Sequence, residues 1–259
     1  MRALTLLWVL TWATPALAAP EKYTMEDLKA LGESQGWAEL LEHIEDVRPS
    51  ERKGPWKDLL EKAALGVMNQ LREQKKNAEG LGTSEALLGR FPALKQSKGF
   101  MAVRQETGLG ALSECFQDAY AGQRCFDELD RFLKVDPNDT ALAFAAGKMV
   151  VEKGRLYAAA PPYFAKGLAA PAVRKTGCKD PSVKDAVLRA FGQPPDYENV
   201  KAANQVAFQQ CYAELKDVLL DAFYKSGGYE SVNLCQGLVA QKAKLSEFQA
   251  AYCQDQLKK

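Results

Sequence analysis

Histidine occurs once in this chain, at His43. That scarcity removes every catalytic or metal-binding arrangement that needs two imidazoles. His43 falls on the polar side of the segment WAELLEHIEDV, where a surface histidine is expected. No Cys-x-x-Cys is present, which disfavours both a thioredoxin-type redox motif and a zinc knuckle. Long runs of Val, Ile and Thr are also missing, and with them the usual material of sheets, so the expected fold class is all-α. There is no excess of positive charge to attract nucleic acid or acidic lipid, since 34 basic residues stand against 33 acidic ones. After the N-terminus no apolar stretch approaches the roughly 20 residues that a bilayer span requires. No metal and no cofactor are expected.

What is present begins with an export signal. Met1 to Ala18 carries Arg2, an apolar run from Ala3 to Ala13, then Pro15 and Ala16-Leu17-Ala18, which reads as a secretory signal cut after Ala18. A cut one residue later would place Pro20 just after it, which is unfavourable. No cysteine follows the cut, so a lipid anchor is not indicated. Losing Arg2 leaves the mature chain formally neutral.

All six cysteines, Cys115, Cys125, Cys178, Cys211, Cys235 and Cys253, lie after that cut. An even number in an exported chain argues for disulfides. Nearest-neighbour pairing fits the expected hairpins. Cys115 and Cys125 flank a turn at Gly122, Cys178 staples its loop to Cys211, and Cys235 and Cys253 join the last two helices. The alternative is a set of buried free thiols, because Cys125 and Cys211 both fall at core-facing spacing.

Apolar spacing predicts helices along the whole chain. Thr24 caps MEDLKAL with Asp27 at the capping-box position; a turn at Gly36 leads to WAELLEHIEDV, which ends before Pro49. Gly54-Pro55 opens a helix whose Trp56, Leu59, Leu60, Ala63, Ala64, Val67, Met68 and Leu71 share one face. Gln74 to Gly82, with its Gly and charge, reads as a loop or flexible joint. Helices are expected from Thr83 to about Gln96, from about Phe100 to Ala121, and from Gln123 to Val135. Later come a short helix opened by Pro181, one long helix from Asp196 to about Lys225, and a closing pair from Tyr229 to about Ala240 and from Leu245 to Leu257. Divided into regions, the chain reads as signal (1–18), N-terminal hairpins (19–76), central repeats (83–171) and a C-terminal cap (172–259).

The centre of this plan is the stretch from Asp130 to Pro171. Leu142, Ala145, Ala146, Met149 and Val150 share one helix face; Asn138 or Asp139 supplies the cap and Gly154 the left-handed stop. Gly147 in mid-helix implies close approach of a neighbouring backbone. This pattern resembles the tetratricopeptide repeat, whose helix pairs recur about every 34 residues. In that resemblance Gly147 matches the small residue of the first helix, Gly154 the turn, Ala159 or Ala160 the alanine of the second helix, and Phe164 its aromatic. Pro137 and Pro171 match the closing proline. The pattern departs at Pro161 and Pro162, which interrupt a helix interior, so the second helix is expected to start late or to kink.

The resemblance implies a helix-hairpin superhelical array, stapled by disulfides, that binds a protein partner along the concave side of the first helix. The residues at those positions are Ala141, Phe144, Lys148, Val151 and Glu152. The family's carboxylate-clamp pattern is not matched, because Lys148 stands nearly alone among apolar residues. Such a chain is similar to accessory components of bacterial surface machines, such as gliding-motility or pilus complexes. The expected function is therefore a non-catalytic, periplasmic or secreted adaptor in a cell-envelope assembly. Two alternatives remain open on the residues alone. One is an enzyme acting on peptidoglycan or glycan through carboxylates such as Glu128 with Asp130, or Glu42 with Glu45 and Asp46. The other is a carrier with a closed apolar cavity for a small ligand.

Overall fold

The computed structural model describes residues 22–118 and 122–258. The expected signal segment, its cut after Ala18, and the expected helix end at Ala121 lie outside them. Among the described residues the regular structure is helical throughout, with fourteen α-helices and no strand. No helix there is long and apolar enough to cross a membrane. The chain forms two compact units, the first ending at Gln70 and the second starting at Leu71.

In the first unit Thr24 caps α1 (Met25–Glu33) through a full capping box: the Asp27 amide donates to Thr24 Oγ1 and the Thr24 amide donates to Asp27 Oδ2 at 2.8 Å. α2 (Trp37–His43) stops four residues before the expected end at Val47. The reason is local. Trp56 Nε1 donates to the Ile44 carbonyl at 2.7 Å, and the Arg52 guanidinium donates to the carbonyls of Glu45 and Val47. Side chains thus satisfy backbone acceptors that a longer helix would have used. Most of α3 (Gly54–Glu73) completes this unit, burying Trp56, Leu60, Ala63, Ala64 and Met68.

The second unit opens with a correction. Asn77 to Gly82 is not a loop; it is the first part of α4 (Asn77–Arg90), and the turn before it is confined to a few residues around Lys75, whose φ is 56°. Gly80 is there for packing, since a Cβ on it would lie 2.5 Å from the Thr107 methyl on α5 (Lys98–Gln117). α6 (Gly122–Lys134) follows and is tied to α5 by the Cys115–Cys125 disulfide. Next come α7 (Thr140–Glu152) and α8 (Pro161–Gly167). Pro161 and Pro162 occupy the first turn of α8, where their missing amides cost nothing. The second helix therefore starts late and does not kink. The left-handed residue after α7 is Arg155, with φ 53°, and not Gly154 as the pattern suggested.

α9 (Pro171–Gly177) and α10 (Pro181–Phe191) precede a second departure from expectation. The long helix is in three parts: α11 (Glu198–Asn204), a π-helical turn at Gln205–Gln210, and α12 (Tyr212–Phe223). Its buried residues explain the break. Ala203, Ala207, Cys211, Leu215 and Leu219 are all buried and recur every fourth position, so in an ideal helix each step overshoots a full turn by about 40°. A wider turn takes up that drift and keeps the set facing the core. The Phe208 carbonyl in this turn accepts from Gln241 Nε2 at 2.6 Å. α13 (Gly228–Ala240) and α14 (Glu247–Gln256) close the chain.

One apolar cluster runs through the second unit from Leu81 to Cys253. Two further disulfides cross it, Cys178–Cys211 and Cys235–Cys253, which with Cys115–Cys125 make the nearest-neighbour set; no cysteine is free. Three bridges fit a chain that folds in an oxidising compartment.

Candidate functional site

The expected binding face lies on α7, and the fold covers part of it. Of its five residues, Ala141 and Glu152 are exposed, whereas Phe144 and Lys148 are half-buried and Val151 is 4 % exposed. The cause is reciprocal packing between α7 and α8. A Cβ on Gly147 would sit 2.8 Å from the Phe164 ring, and one on Gly167 would sit 2.7 Å from the Phe144 Cβ. Each helix offers a glycine to the other's phenylalanine, and the two rings meet at 5.4 Å. Gly177 of α9 approaches the far edge of the Phe144 ring in the same way. The sequence reading set a neighbouring backbone against Gly147; what meets it is the Phe164 ring. Gly167 with Phe144 was its mirror image, and the signal was a glycine where a helix former is usual.

Lys148 is also engaged. Its Nζ lies 2.9 Å from Asp180 Oδ2 and 3.5 Å from Glu152 Oε1, and Ser182 Oγ donates to Glu152 Oε1 at 3.4 Å. Asp180 caps α10, accepting from the Ser182 amide at 2.9 Å. This group ties α7 to the start of α10. Burial pushes the Asp180 carboxyl up, but the Lys148 ammonium and the Ser182 amide outweigh it and hold the group below the ordinary carboxylate range. The hydrogen bond to Asp180 likewise raises Lys148.

A pH dependence follows from the lowered carboxyl. Asp180 contributes stability above its unfolded value of about 3.9 and loses it as pH falls through the lower folded value. Asp180→Asn is therefore expected to melt below the parent at neutral pH, with the gap closing below about pH 3 to 4. A gap that stays constant across that range in parallel thermal scans would reject the pairing.

The carboxylate groups singled out from the sequence also have structural partners. Asp130 accepts from Tyr163 Oη at 3.2 Å. Asp46 accepts from the Tyr23 amide and lies 2.9 Å from His43 Nδ1, while the His43 ring stacks on Tyr23 at 4.0 Å. Glu45 faces Arg52 at 3.8 Å. Glu128 lines a surface cleft of about 560 Å³ together with Glu114, Asp127, Arg124 and Arg131, a mixture of both signs.

The surface that sequence reasoning missed lies at the C-terminal end. Phe248 and Tyr224 are each 66 % exposed, and Tyr229 is exposed at the first turn of α13. Phe248 stacks on Tyr252 at 6.3 Å; Tyr252 meets Phe223 edge-on at 5.3 Å, and Phe223 meets Tyr224 in the same way at 5.9 Å. Gln249 Nε2 donates to Tyr224 Oη at 3.0 Å, and Tyr252 Oη donates to Ser231 Oγ at 3.1 Å. These contacts hold a chain of aromatic rings whose two outermost members face solvent. The Cys235–Cys253 bridge fixes α14 beneath it. Helical spacing pairs Phe248 with Tyr252, four positions on in α14, but does not tell that the Phe248 ring faces solvent.

Comparisons with models of protein families, with curated proteins and with solved structures found no match.

Proposed function

We propose that the chain is a non-catalytic scaffold or adaptor, exported to the periplasm or beyond the cell, that joins proteins of a cell-envelope assembly such as motility or pilus machinery. In this reading α7 and α8 are a degenerate tetratricopeptide-like pair, and the partner docks on the C-terminal aromatic ridge, not on α7. The observation that carries the reading is the pair of two-thirds exposed rings, Tyr224 and Phe248, on a disulfide-braced end. Exposed aromatics on a rigid support are what protein interfaces use as anchors, since they supply contact area with few rotamers to freeze.

Changing Tyr224 and Phe248 together to Ser is expected to leave helicity close to the parent and to lower the melting temperature only slightly, because both rings are two-thirds exposed although Tyr224 accepts from Gln249 and Phe248 stacks on Tyr252. Loss of two anchors should weaken partner binding by about 2 kcal/mol or more, roughly thirtyfold. The measurement is affinity capture from an envelope extract, with parent and variant run side by side and the bound proteins quantified by mass spectrometry. An identical set of proteins on both would reject the ridge as the docking surface.

A further inference from the structure

A second cleft, of about 470 Å³, lies between the turn after α7 and the end of α10. Arg155, Leu156 and Tyr157 form one wall, and Arg189, Gln193 and Asn199 form the other. No acidic residue lines it. Arg155, Tyr157, Arg189 and Asn199 have no side-chain hydrogen bond or ion pair among the described residues, and Gln193 Oε1 is buried without a donor.

The walls are braced. The Arg155 amide donates to the Val151 carbonyl at 3.0 Å and the Leu156 amide to Val150 at 3.1 Å, while Asn233 Nδ2 donates to the backbone carbonyls of Phe191 and Gln193. The site is thus a fixed turn set against a fixed helix end.

We infer that this cleft binds an extended peptide segment carrying an Asp or Glu side chain beside an aliphatic residue. Two uncompensated guanidinium groups call for a carboxylate, which each can meet with two donors. The side-chain amide of Asn199 offers both a donor and an acceptor, the pair that a peptide bond needs. Leu156 is 39 % exposed and, with Ala158 and Ala159, supplies an apolar surface for the neighbouring side chain. The volume accommodates two or three residues, at the lower end of the range of about 300–1,000 Å³ for ligand clefts. Both arginines are exposed and stand at the rim. That placement leaves room for a chain to continue on either side, which favours an acidic side chain over a chain end. The inference rests on this cleft alone and stands apart from the aromatic ridge.

The test titrates the full mature chain with acetyl-Ala-Leu-Glu-Leu-Ala-amide in low salt, following backbone amide shifts. Saturable binding that moves the Arg155, Arg189 and Asn199 signals supports the inference. Replacing Glu by Gln in the peptide should weaken binding roughly tenfold, and Arg155→Gln with Arg189→Gln should do the same without lowering the melting temperature. Absence of saturation up to about 5 mM, a fit weaker than the weakest specific sites, would overturn it. So would equal binding of the Gln peptide, or unchanged binding by the double variant. Tighter binding of acetyl-Ala-Leu-Leu with a free terminal carboxylate would assign the cleft to chain ends instead, and equal binding of inorganic phosphate would reduce it to an anion site; either result rejects the acidic segment.

Discussion

Removing the Cys178–Cys211 bridge by changing both residues to Ala is expected to cost about 4 kcal/mol of stability. The bridge spans 33 positions, the longest separation of the three, and the conformational freedom that a crosslink removes from the unfolded chain grows with that separation. The same relation gives about 3 kcal/mol for Cys235–Cys253 and somewhat less for Cys115–Cys125, whose separations are 18 and 10. For a unit of this size about 4 kcal/mol corresponds to a fall in Tm of roughly 8–15 °C. The Cys178–Cys211 pair has a further consequence, because Cys211 closes the π-helical turn and its amide donates to the Val206 carbonyl at 2.9 Å. Urea unfolding of the three double variants measures the order directly. An unchanged midpoint for Cys178→Ala with Cys211→Ala, or a larger loss for the ten-residue bridge, would contradict the entropic account.

Two of the disulfide pairs were legible because they are local: Cys115–Cys125 and Cys235–Cys253 each join successive helices across one turn, whereas Cys178–Cys211 reaches over α10 and α11 and follows from nearest-neighbour order alone. Helix starts were legible for a similar reason. Thr24 with Asp27, Asp139 and Pro181 act within one turn of the residues they cap, whereas Pro171, read as the close of a repeat, opens α9. Helix continuity was less so. The segment from Asp196 to about Lys225 reads as one long helix, although the every-fourth spacing of its apolar residues from Ala203 to Leu219 is too long a period for an ideal helix and already contains the interruption. The Gln74 to Gly82 segment was misread because glycine has two uses. In a loop it frees the backbone, and in Gly80 it lets α4 lie against Thr107; composition cannot separate the two.

The candidate site was the least legible feature. Helical periodicity says which residues share a face, and it correctly put Phe144, Lys148 and Val151 together. It does not say whether that face is open, because a helix in the middle of a helical unit has neighbours on more than one side. The polar members misled as well. Lys148 and Glu152 read as members of the partner-binding face, yet Asp180, 32 positions after Lys148, turns them into an inter-helix tie.

That difference sets the last expected result. Phe144→Ala should cost about 3 kcal/mol, toward the lower end for an aromatic because the ring is half-buried. It opens a gap between Phe164 and the glycines at 167 and 177, and none of these backbones can close it without moving α8 or α9. Lys148→Glu in addition sets a third carboxylate beside Asp180 and Glu152, where a cation now holds two. Their mutual repulsion is partly screened by solvent, so this second change should add a smaller loss that shrinks in high salt. The double variant should therefore unfold at least as readily as Met149→Ala, a core truncation expected to cost about 2 to 5 kcal/mol. Guanidinium unfolding of the three variants at low and high salt decides the matter. If the double change leaves the midpoint in place while Met149→Ala lowers it, α7 has an open face after all, and Ala141, Phe144, Lys148, Val151 and Glu152 return as the docking surface.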